Sequence, residues 1–187
     1  MKIRTLYIVL LACLTSVMLN SCKQNDYLQY DEDLAYVGFA YPSYGNDSIV
    51  YSFALHPNLE EDIVKVPLKL FGYASSQDRE VGVEVIESES TAKEGVDFVI
   101  EQKRMEANAY KDSLIVRIKK SAKVETKDLV VKLRLCGNDL FAAAPIDAET
   151  FRIILTSQLT EPTGWPFGDY SVIKHKFVIQ TIGIATG

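Results

Sequence analysis

Along most of this chain apolar residues return at every second position over short runs, and polar or turn-forming residues separate one run from the next. Ala35, Val37, Phe39 and Tyr41 form the first run, and Ile49, Tyr51, Phe53 and Leu55 the second. Val64, Val66, Leu68 and Leu70 alternate with Lys65, Pro67 and Lys69 in the third. Val81, Val83 and Val85 lead through a polar turn to the short run Phe98 to Ile100. Leu114, Val116 and Ile118 then alternate with Arg117 and Lys119, and Leu129, Val131, Leu133 and Leu135 with Lys132 and Arg134. Phe151, Ile153 and Leu155 close the series. A period of two puts one face of each run in a core and the other in water. About seven to eight such strands with no convincing helix between them predict an all-β, antiparallel sandwich. Pro67 has no N–H for a ladder, so the third strand is expected at an edge or bulged there.

The texture changes after residue 158. Residues 160–169 are rich in proline, glycine and aromatic rings and read as a segment crossing the sandwich. Residues 170–180 fit a helix capped by Asp169 or Ser171, with Ile173 and Phe177 on one face, but their β-branched content suits a strand nearly as well.

The first 21 residues read as an export leader: Lys2 and Arg4, an apolar stretch from Leu6 to Leu14, then Leu19, Asn20 and Ser21 before Cys22. The ending resembles a bacterial lipobox, which makes Cys22 the expected lipid-attachment residue and mature N-terminus. More than one acyl chain is needed for stable anchoring. Residues 22–33 are polar enough to serve as a tether. Lys23 beside the anchor, in place of an aspartate, favours an outer-membrane address, the cell surface over the periplasmic face.

Composition narrows the function. Removal of the leader with Lys2 and Arg4 takes the net charge from −5 to −7. With no long basic run, nucleic-acid binding is not expected. Of three cysteines only Cys136 lies in the folded part, so no intramolecular disulfide is expected there, and Cys136 reads as a small core residue.

Candidate chemistry is sparse. His56 and His175 are far apart and have no ligand-spaced neighbour, so no metal site is expected. His56 before Pro57 reads as a turn residue. The sequence has no G-x-S-x-G, no Cys–His arrangement and no phosphate-cradling glycine loop. Asp31, Glu32 and Asp33, like Glu60, Glu61 and Asp62, lack the alternating spacing of a calcium loop and read as solvated surface. No enzymatic activity and no cofactor are expected. Trp165, Phe167 and Tyr170 are the candidate ligand-binding residues, because aromatic faces near a loop can stack on sugar rings or meet a partner's apolar surface. Capping of the sandwich is the plainer role for them.

Thr91, Ala92, Gly95, Asp97 and Phe98 form a T-A-x-x-G-x-D-F stretch that resembles the turn of Calx-beta domains, which are immunoglobulin-like sandwiches. The resemblance implies a paired aspartate for calcium after the strand at 114–118. Lys119 and Lys120 occupy that place, so no calcium site carries over. The whole mature chain also resembles an uncharacterised Bacteroidota lipoprotein family, through the lipobox, Tyr30 to Asp33, Tyr51 to Pro57, Gly72-Tyr73, Asp78 to Glu80 and Trp165 to Ser171. That resemblance favours the helix at 170–181 and implies more helix beyond Gly187.

Four segments are therefore expected: a leader at 1–21, an acylated tether at 22–33, a Calx-beta-like sandwich at 34–158, and a crossing segment with a short helix at 159–187. The resemblance implies an accessory lipoprotein of a SusC/SusD-like nutrient-uptake system. Its expected partners are the membrane through the lipid, outer-membrane proteins of that system, and a glycan or peptide ligand. An adhesion or envelope-assembly module is the alternative.

Overall fold

The computed structural model describes residues 35–41, 47–142 and 148–182. All of them belong to one compact unit, Glu32–Gly187. The leader, Cys22, the tether and the acidic run Asp31 to Asp33 lie outside the described residues.

Ten strands and one helix make up the described chain: β1 (Tyr36–Phe39), β2 (Ser48–Ser52), β3 (Glu61–Phe71), β4 (Arg79–Glu80), β5 (Gly82–Val85), β6 (Phe98–Gln102), β7 (Arg104–Met105), β8 (Lys111–Lys119), β9 (Leu129–Cys136), β10 (Thr150–Thr156) and α1 (Val172–Ile182). One sheet runs β1-β3-β8-β6, the other β2-β10-β9-β5, and β4 pairs with β7 in a small ribbon. Every pairing between strands is antiparallel except β2 with β10, which is parallel. Taken in chain order, the two sheets reproduce the ABED and CFG arrangement of an immunoglobulin-like sandwich, with β2 added beside the last strand.

The core is the set of positions that the alternation marks. In β9, Leu129, Val131, Leu133 and Leu135 are buried and the residues between them are partly exposed. Val116 and Ile118 of β8, Phe98 of β6 and Phe151 of β10 are fully buried. Phe151 packs on Phe39 with ring centroids 5.3 Å apart, which joins the two sheets near β1. Burial of each such side chain contributes about 1.5–3 kcal/mol against the entropy of ordering it.

Three local expectations are corrected. First, β3 is not an edge strand, since it lies between β1 and β8. Pro67 is tolerated because its carbonyl, and with it the ring nitrogen, faces the end of β1. The Ala40 N–H donates to Pro67 O at 2.9 Å, and the return bond that an N–H would have made is simply absent. Second, the second run does not continue as a strand to Leu55. Residues Phe53–Leu55 turn into a short 3-10 helix that still buries Phe53. Third, Cys136 is only partly buried. It follows Leu135 and so falls on the outer face with Lys132 and Arg134. Burial, followed by the Glu84 carboxylate, pushes its thiol pKa up, away from reactive thiolate.

The register fixes two poles. Tyr36 pairs with Phe71, so the described chain enters at the end where β3 finishes and β8 begins. Glu61 pairs with Lys119 and Leu155 with Leu129, so the 3-10 turn, the 86–97 loop, the 120–128 loop and the segment after β10 gather at the opposite pole. No helix among the described residues is long and apolar enough to cross a membrane.

Candidate functional site

The pole away from chain entry carries the chemistry that the sequence singles out. Its floor is the 86–97 loop. Thr91 N and Ala92 N both donate to Val130 O, and Thr91 Oγ1 accepts from Val130 N at 2.9 Å, which ties the loop to β9. Gly95 has φ of +80°, a conformation that side-chain-bearing residues rarely adopt. The turn folds Asp97 back so that its Oδ2 accepts from Lys93 N at 2.9 Å, while the residue is fully buried. Lys123 Nζ stands 3.5 Å from the same oxygen. Burial opposes ionisation, but the Lys93 N–H, the nearby Ser121 hydroxyl and Lys123 hold the carboxyl below its ordinary 3.8. Oδ1 and Ser121 Oγ are buried without a hydrogen bond of good geometry among the described residues. A lysine ammonium thus serves as the counter-ion at Asp97. The described residues hold no cluster of His, Cys, Asp or Glu arranged for a metal ion.

A second cluster spans the ends of β2 and β3. Tyr51 Oη donates to Asp62 Oδ2 at 2.6 Å, and the His56 ring stacks on Tyr51 at 5.4 Å. Burial and then Asp62 raise the Tyr51 pKa, so the phenol stays protonated. The Tyr51 hydroxyl is the largest influence lowering Asp62, with burial opposing it. Nothing in the spacing marks this trio: its members lie five to eleven positions apart, and the 3-10 turn brings them together. Of the acidic run Glu60 to Asp62, Glu61 pairs with Arg117 and Lys119, so it is partly engaged in ion pairs, not simply solvated.

The crossing segment, which follows β10, belongs to the same pole. The backbone N–H of Trp165 donates to Pro162 O at 3.2 Å across a turn that places Gly164 at φ +78°. This sets Trp165 at the centre of a ring cluster, 5.0 Å from Phe167, 5.4 Å from Tyr170 and 5.1 Å from His175. His175 is buried, and its Nδ1 lies 3.3 Å from the Tyr170 hydroxyl. Burial, with Glu161 as the nearby charge, raises the Tyr170 pKa. Ser171 caps α1, accepting the Lys174 N–H on its Oγ at 3.2 Å.

The structure therefore brings Trp165, Phe167 and Tyr170 together, with different exposures. Trp165 and Tyr170 are partly buried and hold His175 between them, while Phe167 remains 44% exposed. Trp165 Nε1 is buried with no acceptor among the described residues. Beside the cluster runs an open groove of about 570 Å³ along β2, β10 and the crossing segment. His175, Val50, Ile154 and Thr160 contribute to its lining, and the three predicted aromatics do not. The face that Ile173 and Phe177 share points outward, at 82% and 65% exposed, and α1 buries His175, Val178 and Ile179 instead.

Comparisons with known proteins place this geometry among others. Weak structural likenesses include a candidate carbohydrate-binding protein from Bacteroides ovatus (9% identity, TM-score 0.47, covering 66% of this chain and 37% of that one). They also include the apo-form Calx CBD1 domain (15%, 0.44, covering 66% and 96%) and a two-domain protein of unknown function from Bacteroides fragilis (12%, 0.45, covering 67% and 46%). The chain thus spans less than half of either Bacteroides protein. At these scores the fold is read from this chain's own sheets and not from its neighbours. No curated protein matches the sequence. A family model does, over residues 23–184, and the chain belongs to that family, described as a domain of unknown function (DUF4843).

Proposed function

We propose that this protein is a lipid-anchored component of the cell envelope that acts by binding, without catalysis, as an accessory to a SusC/SusD-like outer-membrane uptake system. The observation that carries the reading is the helix pole. Ile173 and Phe177, four residues apart on one face of a capped helix, are large apolar side chains held in solvent. Grouped exposed apolar residues mark contact sites. The described chain enters the sandwich at the other pole. A tether of twelve residues from Cys22 reaches about 40 Å when extended, which leaves the helix pole free to meet a neighbour in the same membrane.

The lipobox-like Leu19 to Cys22 supports the anchor, and resemblance supplies the uptake context. A second reading, adhesion or envelope assembly, is favoured by one feature: the exposed face sits on a convex helix and not in a cleft, which suits a protein surface better than a sugar ring. Mild cross-linking of the full-length protein in its native outer membrane, followed by identification of co-purified proteins, separates the two. Recovery of a transporter with its lid lipoprotein supports the uptake reading; recovery of unrelated envelope proteins supports assembly. Release of products from a glycan or peptide panel by the purified protein would refute the non-catalytic part.

A further inference from the structure

The two open sheets of the sandwich present four described edge strands, and three of them are protected against pairing with another chain. Along β1, Ala142 N donates to Ala35 O and Ala142 bridges Tyr36, which covers that edge. Along β6, the preceding turn folds back so that Gly95 N donates to Phe98 O, and the register shifts between Ile100 and Gln102. β5 is four residues long and carries Glu84, ion-paired with Arg134. β2 has none of these devices. Its residues Ser48 to Ser52 include no proline and no charge, and they pair with β10 in five unbroken steps. In that parallel ladder Arg152 N donates to Asp47 O, so Asp47, Ile49 and Tyr51 direct their backbone groups to β10. The N–H and C=O of Val50 and Ser52 face away from it, with no backbone partner among the described residues. β2 also overhangs: Phe39 of β1 packs on Phe151 of β10, and β2 lies beyond β10. None of its five residues is buried, and Val50 is 64% exposed.

We infer that β2 pairs with β2 of a second copy of this chain, antiparallel and two-fold symmetric about Val50. The two Val50 residues then face each other, each donating its N–H to the other's C=O. On the half-exposed inner side Ile49 stands opposite Tyr51 of the second copy, a β-branched residue against an aromatic ring, which is a stabilising cross-strand pair. Ser48 stands opposite Ser52. Because the strand is uncharged, self-pairing brings no like charges together, and the flanking Asp47 is already bonded to Arg152 at 2.7 Å. The two-fold contact is closed, so it consumes the unprotected edge of both copies and leaves none for further growth. A pairing this short buries less than the roughly 1,200–2,000 Å² of a stable complex, so the dimer forms and dissociates readily. The inference does not rest on the uptake reading, since it uses neither the helix pole nor an outer-membrane protein.

The test joins association with backbone protection in the full chain, purified in a non-ionic detergent. Sedimentation equilibrium should show a monomer–dimer equilibrium with a dissociation constant on the order of 100 µM. Val50→Lys and Val50→Glu each set like charges against one another at the two-fold axis, and each should weaken association at least about 10-fold. An equal mixture of the two variants should restore the dimer, because the facing charges then attract. Both should keep the parent's melting temperature, as Val50 is exposed. Hydrogen exchange of the parent decides the matter even if a variant loses stability. The Val50 and Ser52 amides should be protected at millimolar protein and not at micromolar, while those of Ile49 and Tyr51, bonded to β10, are protected at both. A parent that does not associate, a mixture that does not recover, or association without concentration-dependent protection at Val50 would each overturn the inference. Protection of Val50 at every concentration would overturn it too, since another stretch of the same chain would then occupy the edge.

Discussion

The two poles of the sandwich solve the same problem, finishing eight core strands and their loops, with different chemistry. At the entry pole short polar side chains close the backbone. Asp78 Oδ1 accepts from Ala107 N at 2.9 Å and Asp112 Oδ2 from Glu106 N at 2.8 Å. Asn138 Oδ1 accepts from Leu140 N and Phe141 N, while its amide donates to Glu80 O. Arg79 lies over the Phe141 ring at 4.4 Å. The large side chains most exposed there, Tyr73 and Tyr110, end in hydroxyls that water can satisfy. At the helix pole four rings and a capped helix do the closing, and aliphatic and aromatic groups stay in water. Polar closure completes a fold. Among apolar side chains, Ile173 and Phe177 at the helix pole are 82% and 65% exposed, against 48% for Leu140 and 37% for Phe71 at the entry pole.

Both poles rest on one core, and the largest effects belong there. Leu133→Ala or Phe98→Ala removes a side chain with no exposure from the common core and should cost about 3–5 kcal/mol, measured by denaturant unfolding. Loss of one pole's signals alone would contradict a common scaffold.

Asp97→Asn acts only at the helix pole, on the loop held by Lys93 N and Lys123. A cost of about 1.5–3 kcal/mol is expected at neutral pH. The pH dependence carries the sign. The folded pKa lies below 3.8, so ionised Asp97 stabilises the protein above the unfolded value, and that contribution is lost as pH falls through the folded one. Unfolding curves between neutral pH and the acid range should show a smaller acid-induced loss for the variant than for the parent.

Trp165→Ala should separate the crossing segment from the sandwich. The main unfolding transition is expected to move by less than about 1 kcal/mol, while proteolysis within residues 157–171 accelerates. A large fall in the main transition would instead make the ring cluster part of the core. The smallest effects belong to the outer face of α1: Phe177→Ser or Ile173→Ser should change stability by no more than about 0.5 kcal/mol in thermal melts. Calcium should leave the melting temperature unchanged, because Lys123 is the counter-ion at Asp97 and Lys119 pairs with Glu61.

The strands were legible because a half-buried strand writes its face into the sequence at every second residue. β9 shows this most cleanly, and the same parity, applied one residue further, would have placed Cys136 outside the core. The pairs β4 and β7 are too short to have a period. The side of α1 that is buried was not legible, because Val172, Ile173, Phe177, Val178, Ile179 and Ile182 surround the helix and no stripe stands out. Its orientation is set by His175, lodged between Trp165 and Tyr170, which is a contact between residues and not a pattern along the chain. The pocket between α1 and the sandwich was hidden for the same reason. Phe53, Lys120, Ser157 and Lys176 come from four separate segments that only the fold brings together.

The most direct test places a photo-crosslinking residue at Phe177 in one full-length protein and at Tyr110 in another, both expressed in the native outer membrane. A discrete adduct from position 177 with an outer-membrane uptake protein is expected, and none from position 110. Adducts from Tyr110 alone, or equal labelling from both poles, would contradict the assignment of the contact surface to the helix pole.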